Sequence, residues 1–292
     1  MKRFTGIFLG LCLVLACADI VAAQGSQGTP PPKVLAITRE YVKPGRTGAT
    51  HEKTESLFVQ AMSHAKWPTH YLAMESLSGK SRALFFTGYD SFEAWEKDVA
   101  GQQKNETLSA ALTHANLVDG ELLESLDQSV WAYSPEGSNA GGIDIPHMRY
   151  FEIERFQLRS GHEKEWNDIV KLVIPALEKA NPDTHWAMYY AVYGIPTPTA
   201  IVITPMRSAA EIDRSMATQP KFAAAMGEDG MKKLSELSAI AIESSETNVF
   251  SFNPRMSYVE ESWVKADPDF WKLKAAAAPA SKKAEEKPSA KP

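Results

Sequence analysis

The chain has 292 residues, with 31 basic and 36 acidic side chains and a net charge of −5. Mild acidity, with no basic stripe interleaved with aromatics, excludes a nucleic-acid partner. The only cysteines, Cys12 and Cys17, lie close to the amino terminus, which excludes a disulfide-built core.

Lys2 and Arg3 precede an apolar run from Ile7 to Ala16, and small residues follow at Val21–Ala23. This pattern predicts an export signal over 1–23 and a periplasmic or secreted protein. The run is shorter than the roughly 20 residues a spanning helix needs, so the mature chain is expected to lack a transmembrane helix. The stretch "LVLAC" ending at Cys17 resembles a bacterial lipobox, and lipid anchoring at Cys17 is the alternative to cleavage. Residues 24–32 read as a Gly/Pro/Gln linker.

From residue 33 the chain repeats itself. "SLFVQAMSHAKWPTHY" from Ser56 falls without a gap on "KLVIPALEKANPDTHW" from Lys171, an offset of 115. Shared apolar positions at 58, 61, 62 and 65 have helical spacing. Each half then reads in the same order. A strand ("VLAITREYV" or "MRYFEIERFQL") leads through a Gly turn into the aligned helix. A second strand starts at Thr69-His70 or Thr184-His185. A short loop leads to a third strand, "RALFFTG" or "TAIVITP". The next helix opens at "DSFE", with Asp90 as N-cap, or at "SAAE" from Ser208 to Glu211, both shaped as capping boxes. More helix and a fourth strand, "SVWAYSP" or "NVFSFNP", close each half. The halves are placed at 33–137 and 147–260, with a polar linker at 138–146 and a structureless tail over 261–292.

The order β-α-β-β-α-β is that of the ferredoxin-like split motif, whose sheet carries helices on one face and leaves the other bare. Two copies cover each other sheet to sheet. The predicted fold is α+β: two tandem ferredoxin-like repeats forming an intrachain dimeric α/β barrel. In element order and in the "R-x-x-x-x-P-G" entry to its first helix (Arg39 to Gly45), the chain resembles the dimeric α/β barrel superfamily, including its NIPSNAP-like and antibiotic-biosynthesis-monooxygenase-like members. The resemblance implies a site for a small ligand and leaves open a homo-oligomer, a cofactor-free monooxygenase or a haem enzyme.

His70 and His185 are the only histidines that match in the gapless repeat. Period 2 puts His185, Ala187, Tyr189, Ala191 and Tyr193 on one face of the second strand and the bulkier Trp186, Met188 and Tyr190 on the other. The candidate ligand-binding residues are therefore His185, Tyr189, Tyr193 and His70, with Glu154 and Arg155 of the preceding strand. A scaffold role for both histidines is the competing interpretation, and an ion pair within the sheet is that for Glu154 and Arg155. "HEK" recurs at His51 and His162, out of register and without the second histidine of a zinc helix; both are expected to be exposed first-turn residues. No metal is expected. No cofactor is expected either, although haem stays open: His114 is the one residue suited to an axial role, but it lies in the first half, whereas the resemblance implies haem in the second. Small-ligand or partner binding is the leading functional reading, with an enzyme or a purely structural envelope protein as alternatives.

Overall fold

A computed structural model describes residues 30–272; the expected export signal, most of the first linker and the end of the tail lie outside them. Eight antiparallel strands form one closed barrel in the order β1-β3-β2-β8-β5-β7-β6-β4. The first half supplies β1 (Val34–Val42), β2 (Tyr71–Ser76), β3 (Arg82–Tyr89) and β4 (Leu123–Asn139). The second supplies β5 (Tyr150–Leu158), β6 (Trp186–Tyr193), β7 (Thr199–Met206) and β8 (Ile242–Phe252). The bare sheet faces do cover each other, and the halves also hydrogen-bond edge to edge, β2 to β8 and β4 to β6. Closure leaves no unpaired edge strand.

Period 2 separates two environments along every strand. Leu35, Ile37, Leu72, Leu84, Phe86, Phe151, Ile153, Tyr189, Ile203 and Phe250 point into the barrel. The alternate residues face the helices α1 (Ala49–Ala65), α2 (Phe92–Lys104) and α3 (Glu106–Gly120) in the first half, and α4 (Glu163–Ala180) and α5 (Ala210–Ala241) in the second. Gly227, at φ 68°, interrupts α5. A left-handed residue cannot continue a helix, and glycine adopts that conformation without a Cβ penalty. The break plays the part of the α2/α3 break at Asn105. No helix of the described residues is long and apolar enough to cross a membrane.

The structure corrects four expectations. The N-cap of α2 is Ser91, not Asp90: its Oγ accepts from Ala94 N at 3.1 Å. The linker expected from 138 begins as strand, because β4 runs on to Asn139 and pairs with β6. Met188 packs so close to Gly137 that a Cβ there would lie 2.4 Å from its sulfur. The tail expected from 261 forms two short helices, α6 (Glu261–Ala266) and α7 (Pro268–Trp271). Trp271 is the reason: it is 3% exposed, lies among the barrel-interior residues, and donates its indole N–H to Pro146 O at 2.7 Å. Finally, His51 is buried, while His162 caps the start of α4 with its side chain 41% exposed. The two "HEK" stretches sit at different positions on their helices, so one histidine turns inward and the other does not.

Candidate functional site

The strand directions put the starts of β1, β2, β5 and β6 at one end of the barrel. A cavity of about 550 Å³ opens there, within the usual range of small-molecule sites. Its walls come from both halves: Leu35, Leu72 and Phe86 from the first, Phe151, Tyr189 and Ile203 from the second. The repeat therefore builds one shared cavity, not one pocket per copy. Val259, Glu260 and Trp263, which follow β8, form part of the wall.

The rim is fixed by hydrogen bonds. Asp98 of α2 is buried and accepts from Trp67 Nε1 (2.7 Å), Thr69 Oγ1 (2.6 Å), Tyr89 Oη (2.9 Å) and Gln102 Nε2 (3.0 Å). Thr69 and Tyr89 both line the opening. Burial, then the Asp98 charge, pushes the Tyr89 phenol well up, so it stays a donor. Tyr71 N donates to Tyr258 O at 2.8 Å, which ties the carboxy-terminal segment to β2. Tyr258 in turn stacks on His70, with centroids 4.6 Å apart and planes 20° apart. The imidazole is thus held flat at the cavity wall.

Of the six candidates, the structure brings His70 and Tyr189 to this cavity. Tyr189 is 2% exposed, and its phenol is pushed up by burial and then by Tyr133. His185 precedes β6 at the same end but is not part of the cavity wall, and its Nδ1 is buried without a hydrogen-bond partner. Tyr193 ends β6 and is 61% exposed. Arg155 lies on the interior face towards the other end and pairs with Glu246 at 3.3 Å. Arg39 makes the equivalent pair with Asp127 at 2.5 Å. Glu154 faces the helices, where burial and then Glu152 raise its pKa.

Sequence reasoning missed a second cluster, Glu40, His51, Glu55 and Asp119, all buried between β1, α1 and α3. One signal could have found it. The gapless repeat sets His51 against Trp166 and Glu55 against Val170, so polar residues occupy positions that are apolar in the sister copy.

The barrel has likenesses among solved structures. A proposed monooxygenase of Fusobacterium nucleatum superposes with a TM-score of 0.50 at 10% identity, covering 76% of this chain and 93% of that one. An anthrone oxidase-like protein gives 0.49 at 14% identity, with 78% and 95% covered. A mutant chlorite dismutase of Candidatus Nitrospira defluvii gives 0.45 at 8%, with 77% and 92% covered. No protein-family model and no curated protein sequence matches the chain. The chain has the dimeric α/β barrel fold. Both halves of this dimeric α/β barrel lie in one polypeptide, as the sequence repeat implies.

The residues present do not fit a haem. Between sheet and helices of the second half, Phe156 and Trp166 pack with ring centroids 5.0 Å apart, among Leu158, Ile169 and Met188. The histidines of that half, His147, His162 and His185, stand before β5, α4 and β6, outside the elements that build this cluster. His114 is on the exposed face of α3.

Proposed function

We propose that this protein binds a small, flat, largely apolar molecule in the barrel-end cavity. The observation that carries this reading is the cavity itself: about 550 Å³, walled by Leu35, Phe86, Phe151 and Ile203, with polar tips at His70 and Tyr189. Such a wall favours an aromatic guest through area burial, while one or two polar groups set its orientation. The cofactor-free oxygenase alternative uses the same cavity, with His70 as the group that accepts a proton from a bound phenol.

Titration calorimetry with naphthol tests the binding reading. Saturable one-site binding by the full chain is expected, and Ile203→Trp, which fills the cavity, should abolish it. Binding that does not saturate, or that survives Ile203→Trp, would overturn the reading. Oxygen uptake on adding naphthol would favour the oxygenase alternative. The amino-terminal pattern of Lys2, Arg3 and the apolar run supports a further proposal, that the protein is exported. Mass spectrometry of a periplasmic or secreted fraction should then give a chain starting near Gln24, or a lipid adduct on Cys17.

A further inference from the structure

Glu40 projects from the helix-facing side of β1. His51 and Glu55 lie one turn apart on α1, and Asp119 comes from the last turn of α3. Their exposures are 5%, 0%, 2% and 1%. His51 Nε2 lies 3.1 Å from Glu40 Oε2, 3.4 Å from Asp119 Oδ1 and 3.9 Å from Glu55 Oε1. One ligand atom from each residue lies within 4.8 Å of the other three. Ligands bound at about 2.0–2.2 Å in a tetrahedral site stand roughly 3.3–3.6 Å apart. His51 Nε2 already stands close to that spacing from Glu40 and Asp119, and the wider pairs must close in on it.

Three carboxylates and one imidazole are an unbalanced set. Among the described residues no lysine or arginine pairs with any of them. Buried charge without a partner is costly, and such groups are paired or hold metal. Glu55 Oε1, aimed at His51, has no hydrogen-bond partner. The Tyr71 hydroxyl is also buried without a partner. Thr54 Oγ1 sits between His51 O, at 2.9 Å, and Asp119 Oδ1, at 2.5 Å, and so orients the Asp119 carboxylate.

The sister half shows that the fold does not require this polarity. At the repeat offset of 115, His51, Thr54 and Glu55 become Trp166, Ile169 and Val170. Aligning the bulges, Val42 with Leu158, sets Glu40 against Phe156. There the same place is an apolar cluster. One architecture is thus built twice, once dry and apolar and once with a donor set converging on a point.

We propose that Glu40, His51, Glu55 and Asp119 form a binding site for one divalent first-row transition cation. One imidazole with three carboxylates and no thiolate suits Zn²⁺ or Mn²⁺ and disfavours copper(I). His51 would bind through Nε2, which faces all three carboxylates.

The test uses the full chain, stripped with a chelator and titrated with Zn²⁺ and, separately, Mn²⁺. Calorimetry and elemental analysis after gel filtration report stoichiometry. One equivalent of Zn²⁺ or Mn²⁺ per chain is expected, with a rise in Tm on loading. His51→Gln and Glu55→Gln should each weaken uptake at least tenfold, while Asp168→Asn, at an exposed acidic site of α4, should bind as the parent does. Should the single variants misfold, the set Glu40→Phe, His51→Trp, Thr54→Ile and Glu55→Val copies the folded sister half and should take up no metal. Absence of stoichiometric uptake by the stripped parent, or uptake unchanged in the variants, would overturn the proposal.

Discussion

His51 and Trp166 occupy the same position on the first helix of their halves, and both are buried, at 0% and 3% exposure. Their surroundings differ as they do: carboxylates around His51, Phe156 and Met188 around Trp166. A buried ionic cluster replaced by well-packed apolar residues is commonly neutral or stabilising by about 1–4 kcal/mol, whereas removing one member alone costs about 3–5 kcal/mol. In metal-free protein, the variant combining Glu40→Phe, His51→Trp, Thr54→Ile and Glu55→Val should therefore equal or exceed the parent in urea stability. His51→Ala alone should fall well below it. If the combined variant is the less stable by several kcal/mol, the two halves are not interchangeable at this place.

The carboxy-terminal helices give a second expectation. Trp271 contacts the interior cluster through Phe252 and Trp263, with ring centroids 6.3 and 5.4 Å away. Truncating a buried tryptophan costs about 3–5 kcal/mol. Trp271→Ala should lose that much by urea denaturation followed by circular dichroism, and Trp271→Phe, which keeps a ring but not the bond to Pro146, should lose less. A loss under about 1 kcal/mol in Trp271→Ala would show that the segment does not seal the barrel.

Much of this architecture was legible and some was not, for physical reasons. Strand alternation told Ala187 and Tyr189 from Met188 and Tyr190, and the structure puts the first pair in the barrel and the second pair under the helices. The repeat implied two sheets facing each other. Closure of the barrel edges rests on register between distant strands, such as Glu75 with Ser251 and Tyr133 with Tyr189, and no local pattern encodes that. The polar cluster was hidden because hydrophobic periodicity assigns charged residues to the exposed face of a helix. His51, Thr54 and Glu55 reverse that assignment while keeping the spacing of the inward face. The role of Trp271 was hidden by its neighbourhood, a short polar stretch leading into an Ala/Lys-rich tail.

Glu152 and Glu154 supply a pH expectation. Burial raises both above the ordinary 4.5, and the charge of Glu152 adds to the shift at Glu154. A folded-state pKa above the unfolded value means that the folded chain binds more protons in between. Stability is then greatest below about pH 4.5 and falls as pH rises through the folded pKa. Glu154→Gln should have a higher Tm than the parent at pH 7.5, and the difference should shrink on acidification towards pH 4.5. A variant less stable than the parent at pH 7.5, or a gap that does not change with pH, would show that the carboxylate is solvated or paired.

His70 and His185 match in the repeat, yet the structure treats them differently, and the difference predicts their roles in ligand binding. His70 is clamped against Tyr258, a residue near the end of the second repeat, and forms part of the cavity wall. The cavity wall does not include His185, whose Nδ1 is buried without a hydrogen-bond partner. A polar tip on an apolar wall contributes through a hydrogen bond of about 0.5–1.5 kcal/mol, which corresponds to about two- to thirteenfold in affinity. His70→Ala should therefore weaken naphthol binding by roughly that factor while leaving the barrel folded, because the ring's packing partner Tyr258 stays anchored through its bond to Trp67 O at 2.8 Å. Tyr189→Phe should weaken binding to a similar degree, as it removes only the other polar tip. His185→Ala should leave affinity unchanged. The reverse order, with His185→Ala the more damaging in calorimetry, would move the binding site off the barrel axis and towards the start of β6.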